Sequence, residues 1–204
     1  MAMISIRNVT IVRGNRAVIS DFSAEIEPGT ITAIVGPNGC GKSSLIAAIA
    51  GDIPIAHGEI YLADKNLAEI SLEEQAELRS VVMQNRNYWL SYSAADVIAM
   101  GQSQSSLARI PSVLQALDMA DYINQSVTTL SGGEAQRVEI ARALIRDSEI
   151  YLLDEPLASQ DSRSKLRIIE CLKRLKAEGR TILLIAHIDK GSLGWCDQVI
   201  DTLA

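Results

Sequence analysis

The run Gly36-Pro37-Asn38-Gly39-Cys40-Gly41-Lys42-Ser43 satisfies the spacing G-x-x-x-x-G-K-[ST]. It lies between a short apolar run, Ile31–Val35, and an apolar helical stretch from about Lys42 to Ala50. That order restricts the chain to folds in which a buried strand feeds a tight loop and then a helix N-terminus. Glycines in the loop let backbone N–H groups converge on phosphate oxygens, and the helix N-terminus adds partial positive charge. Lys42 is expected to reach β- and γ-phosphates, and the Ser43 hydroxyl to ligate Mg²⁺. A turn that merely joined strand to helix would need neither lysine nor serine in register. Cys40 occupies a position the pattern leaves free and reads as a small tolerated residue rather than a nucleophile.

Elsewhere short β-branched runs alternate with longer helical patterns, predicting an α/β fold with a mainly parallel sheet. Ile4–Val12 alternates apolar and polar residues and reads as an antiparallel strand with a partner near Ser23–Ile26. Further strands are predicted at Gly58–Leu62, Val81–Met83, Ile150–Leu153 and Thr181–Ala186, and helices at Gly133–Arg146 and Arg163–Ala177. In the last helix Leu166, Ile169, Leu172 and Leu175, at three-residue spacing, are the expected core stripe. Residues 85–130 change character. They are rich in Ser, Ala and Gln, with helical patches at Ala94–Met100 and Pro111–Leu117 and no convincing strand. They read as a helical subdomain inserted into a core formed by residues 1–84 and 131–204, the whole making one domain.

Composition narrows the partners. With 48% hydrophobic and 22% charged residues, the 204-residue chain buries a sizeable core. A net charge of −6 with only 4% aromatic residues argues against broad binding to nucleic acid. Cys40, Cys171 and Cys196 are widely spaced and form no C-x-x-C, which fits a reducing compartment better than a disulfide or zinc framework. The longest apolar runs, such as Ile182–Ala186, fall far short of the ~20 residues that cross a bilayer. The opening residues lack a signal-peptide layout, so no direct membrane insertion is expected.

Ile150–Leu153 ends in Asp154-Glu155-Pro156. Beside a phosphate loop, Asp154 falls to the metal shell and Glu155 to the base that polarises attacking water. Consecutive strand residues point to opposite faces, so the two carboxylates share one site only if the backbone turns after Asp154. Pro156 makes such a turn available.

Leu130-Ser131-Gly132-Gly133-Glu134, followed by Gln136-Arg137, stands 88 residues after Ser43 and 23 before Asp154. With these neighbours the chain closely resembles the nucleotide-binding subunit of ABC transporters, over residues 3–202. The resemblance implies that residues 36–43, with Ser44 after them, bind ATP. Gln84 matches the glutamine that touches Mg²⁺ and water. His187 matches the switch histidine at the γ-phosphate. Asp161 matches the aspartate that communicates across a dimer, and Asp197 the one that opens the final core strand. Two subunits would pair head to tail, as a homodimer or with a related subunit. Each ATP would then lie between the phosphate loop of one chain and Ser131-Gly132-Gly133 of the other. An isolated chain is expected to bind nucleotide but hydrolyse it weakly. Its second partner would be a transmembrane permease, which would hold it on the inner, cytoplasmic face of the cell membrane.

Three positions depart from the family pattern. Where an adenine-stacking aromatic usually stands the chain has Arg13, which either stacks on the base or is an exposed turn residue. Gln160, in Leu157-Ala158-Ser159-Gln160-Asp161, is polar where the family is usually apolar, and Ile188 replaces the usual aspartate after the histidine. Gly58–Leu62, Leu67, Ile70-Ser71, Gln75-Ala76, Arg79, Val82–Gln84 and Val97–Gly101 resemble the importer branch for iron-siderophore, haem and cobalamin. Residues 85–101 would then help receive the permease's coupling helix. The competing class is an ABC-type ATPase that acts without transport, for example in iron-sulfur cluster assembly. Gln84 and Ser131 stand only 47 positions apart, too close for the coiled-coil arms or zinc modules of chromosome and repair members.

Overall fold

The computed structural model describes residues 1–84, 90–186 and 190–202. β1 (Ile4–Arg13) and β2 (Arg16–Ile26) form an antiparallel hairpin, and β3 (Ile31–Val35) runs through the glycine loop into α1 (Lys42–Ile49). β4 (His57–Leu62) and the two-residue β5 (Lys65–Asn66) join that hairpin in a sheet of order β2-β1-β4-β5. α2 (Leu72–Leu78) and β6 (Arg79–Val82) follow. The helical segment carries α3 (Ala94–Ala99), α4 (Gln104–Leu107) and α5 (Ile110–Ala116). α6 (Gly132–Leu144), β7 (Ile150–Asp154), α7 (Ser162–Ala177), β8 (Thr181–Ile185) and β9 (Gln198–Asp201) complete the core. The second sheet, in the order β6-β7-β8-β3-β9, is parallel at every pairing.

Its strands read as continuous apolar runs because both faces are covered. Ala33, Tyr151, Leu153, Ile182 and Leu184 point into one core with α6, α7 and the helical segment. The alternate residues Ile34, Ile150, Leu152, Leu183 and Ile185 point into a second core with α1 and the antiparallel sheet. Each leucine or isoleucine among them, fully buried, contributes about 1.5–3 kcal/mol relative to exposure. Asp197 fixes the sheet's edge. Its Oδ2 accepts from the Ile31 amide at 2.8 Å, and Lys176 pairs with the other oxygen. The Ile31 amide and then Lys176 hold this carboxyl below the usual aspartate range.

Two expectations need correction. Leu166 is exposed, and the buried face of α7 is Ile168, Cys171, Leu172 and Leu175. A strict three-residue spacing drifts around a 3.6-residue helix, so the first of four such positions rotates out to solvent while Ile169 stays half-buried. The chain also forms β5 and α2, which were not expected. α2 carries one buried residue, Gln75, so no apolar stripe announces it.

Candidate functional site

Parallel strands gather their C-terminal ends along one edge, where ligands of open α/β sheets bind. β6 leads to Gln84, β7 to Asp154 and Glu155, β3 to the glycine loop and β9 to Thr202. β8, between β7 and β3, leads to His187, which lies outside the described residues. The sheet order thus brings segments scattered over the whole chain to one edge.

The loop from Gly36 to Ser43 is shaped by glycine where space forbids a side chain. A Cβ on Gly41 (φ 97°) would stand 2.6 Å from the Val18 carbonyl oxygen, and one on Gly36 would stand 2.2 Å from Thr202 Oγ1. Gly41 is also the N-cap of α1 and offers no side-chain cap. The N–H groups of the first turn are therefore left for an anion. Lys42 is buried, with Nζ donating to the carbonyls of Gly36 and Pro37, each at 2.8 Å. Cys40 is half-buried, its Sγ 3.2 Å from Thr202 Oγ1.

A cavity of about 380 Å³ opens over this loop, lined by Asn38, Gly39, Gly41, Lys42, Ser43, Ser44, Val18, Gln84 and Glu155. Gln84 Nε2 donates to Glu155 Oε2 at 2.9 Å. The turn that two adjacent carboxylates require is present: Glu155 takes φ 52°, the left-handed region, immediately after the strand. Asp154 lies buried at the strand end while Glu155 reaches the cavity wall. The expected turn thus comes one residue before Pro156.

Other candidate residues lie away from that wall. Arg13 is exposed at the end of β1, and the residue of the hairpin that does line the cavity is Val18 of β2, which nothing in the sequence distinguished. Ser131 caps α6 in a capping box: the Glu134 amide donates to Ser131 Oγ at 3.3 Å, and Ser131 Oγ and N both donate to Glu134 Oε2. The Ser131 hydroxyl, then its amide, pull the Glu134 carboxyl below its ordinary range. Asp161 caps α7, accepting from the Ser164 amide at 2.7 Å, which lowers its carboxyl in the same way. Gln136 donates through Nε2 to the Glu155 carbonyl at 2.8 Å. In the sequence Gln136 stood out only as part of the motif after Ser131.

A family model described as "ABC transporter" matches residues 19–158. The chain belongs to the ABC transporter family. A hemin import ATP-binding protein of Rhodococcus jostii is 30% identical over 200 residues, covering 94% of this chain and 68% of that protein. A zinc transport system ATP-binding protein of Treponema pallidum is 32% identical over 209 residues, covering 97% and 77%. A solved structure of the ATP-binding subunit of an ABC transporter superposes with a TM-score of 0.88 at 22% identity, covering 98% of this chain and 85% of that one.

The chain is thus an ABC transporter ATP-binding subunit and an ATP hydrolase. Its donor set suits a hard cation. Ser43 would supply a hydroxyl, Gln84 an amide oxygen and the buried Asp154 a carboxylate, all oxygen donors of the kind Mg²⁺ takes together with substrate phosphates. Among the described residues no cluster of three or more His, Cys, Asp or Glu could hold a metal by itself. No helix among the described residues is long and apolar enough to cross a membrane.

Proposed function

We propose that this subunit energises an importer of a metal or metal-chelate cargo, working as one half of a head-to-tail pair docked on a membrane permease. The observation that carries the hydrolytic part is that Lys42, Ser43, Gln84 and Glu155 line one cavity, with Gln84 holding the Glu155 carboxylate. The relatives named for hemin and zinc transport support the cargo class.

In this reading the loop amides and Lys42 bind the triphosphate, Lys42 exchanging its two carbonyls for phosphate oxygens. Ser43, Gln84 and Asp154 would hold Mg²⁺, whose charge would offset that of the phosphates when it is bound. Glu155 accepts a proton from water held beside Gln84, which turns that water toward the γ-phosphate. Ser131, Gly132 and Gly133 are absent from the cavity wall of their own chain, which fits their serving the nucleotide of a second chain. The permease meets a cleft between core and helical segment, lined by Asp52, Ala76, Arg79, Gln102, Arg142 and Arg146. Leu90, Tyr92 and Met100 leave exposed apolar surface on the helical segment for the same partner. Of residues 85–101, which the sequence reading assigned to the permease groove, 85–89 lie outside the described residues.

The test is Glu155→Gln. It keeps the hydrogen bond from Gln84 in reach but removes the base, so hydrolysis should fall about 10²–10³-fold while ATP binding persists. An ATP-bound dimer should then accumulate in gel filtration. Unchanged hydrolysis removes Glu155 from the role of base, and an ATP-loaded variant that stays monomeric breaks the paired arrangement.

A further inference from the structure

The turn that follows β7 is tied to the first turns of α6 by a part-buried amide network. Gln160 is almost fully buried, and its Nε2 donates to the Gly133 carbonyl and to Gln136 Oε1, both at 3.0 Å. Its Oε1 accepts from Arg137 Nη1 at 2.8 Å, and the same Nη1 reaches Ser164 Oγ at 3.1 Å. Gln136 in turn holds the Glu155 carbonyl. The approach is close: a Cβ on Gly133 would stand 2.7 Å from the Ser159 carbonyl oxygen. Glu155 and Ser159 both take positive φ, 52° and 55°, a conformation that costs a side-chain-bearing residue energy and persists only when its surroundings over-determine it. The amides from α6 supply that constraint.

We propose that Gln160 is a positioning residue that locks the Ser131–Gly133 segment to the Glu155 turn, so that both move as one unit. The inference rests on the paired arrangement proposed above. In such a pair Glu155 serves one ATP and Ser131–Gly133 of the same chain serve the other. Gln160 therefore links the two sites within a chain, without touching either nucleotide. A network of this kind, with both polar atoms of the buried Gln160 amide bonded, holds one arrangement and resists partial opening. An apolar side chain of equal length would fill the space and make none of the bonds.

The experiment compares the full chain with Gln160→Met, reading ATP affinity, kcat and the Hill coefficient for ATP hydrolysis. The expected result is an ATP affinity within about twofold of the parent, a kcat about 10-fold lower, and a Hill coefficient that falls toward one. Filling space is preserved in this variant, so a merely structural role leaves the Hill coefficient where it was. Gln136→Met cuts the same network from α6 and decides by the same readouts where Gln160→Met yields no folded chain. The two changes share the Gln160–Gln136 bond, so their joint loss should fall short of the sum of the single losses. Unchanged kcat and Hill coefficient in an active parent overturn the inference alone. A parent that neither hydrolyses ATP nor pairs on binding it overturns the paired reading, and the inference with it.

Discussion

Two glycine-rich segments run into helix N-termini in this chain, and they end in opposite states. At α1 the N-cap is Gly41, with no side-chain cap and no acidic residue in the first turn. At α6 the N-cap is Ser131, closed by a reciprocal capping box with Glu134. The first terminus leaves its donors for a ligand, whereas the second satisfies them from within. An anion can enter the loop over α1 without displacing a side-chain cap. To reach Ser131 Oγ it must compete with a carboxylate already bonded there. Under the pairing proposed above, the α1 side would capture nucleotide first, and the α6 side would be recruited only when a second chain brings a phosphate charge strong enough to rearrange the cap.

The strongest way to break this contrast is Lys42→Ala. If the α1 side captures ATP alone, removing its buried cation should weaken ATP binding by at least about 100-fold, or about 3 kcal/mol. Equilibrium binding to the isolated chain measures it. Undiminished affinity would mean that the loop over α1 is not the capture site.

Next in size is Gly133→Ala. The new Cβ meets a backbone carbonyl oxygen, Ser159's, rather than a flexible side-chain end, so the loop after β7 must shift. Overpacking of this kind costs about 1–3 kcal/mol, which for a chain of this size lowers the thermal midpoint by several degrees. No loss in a melting experiment would show that α6 and that loop are not held together as described.

How much of this was legible in the sequence follows from how local each signal is. The loop and helix at 36–49 are written in one contiguous pattern, and the fold class follows from alternation along the chain. β7 with its two carboxylates was equally legible, down to the need for a turn. The bonds that organise the site were not. Gln136 to Glu155 spans 19 residues and Gln160 to Gly133 spans 27, and neither glutamine has a periodicity or spacing rule to predict its partner. α2 was missed although Ser71 and Glu74 stand at capping-box spacing and Ser71 Oγ does accept from the Glu74 amide. The misplacement of Leu166 came from reading a helix at period three.

A smaller effect probes the α6 cap itself. Ser131→Ala should cost about 1 kcal/mol of stability at neutral pH. Glu134 makes the cap pH-dependent. Its folded pKa lies below the ordinary 4.5, so its contribution is complete above that value and is lost as the pH falls through the lower, folded one. The melting-point difference between the parent and Glu134→Ala should therefore hold from pH 7 to about 5.5 and shrink toward pH 3.5. A difference that stays constant over that range would mean that the carboxylate does not carry the cap.

The smallest expected effect is the most discriminating. Gly132 opens α6 beside Gly133, yet a Cβ there meets nothing within 4 Å. Alanine suits a helix better than glycine, so Gly132→Ala should leave stability unchanged or raise it by up to about 1 kcal/mol, read from the thermal midpoint. ATP capture over α1 should also be untouched, because Gly132 does not line that cavity. If the bare backbone at α6 is there to let a second chain's phosphate approach, the same methyl group should weaken ATP-driven pairing, measured by gel filtration in the Glu155→Gln background. A variant that is equally stable and pairs as readily would leave Gly132 with no part in recruitment. The contrast between the two helix termini would then rest on the cap formed by Ser131 and Glu134 alone.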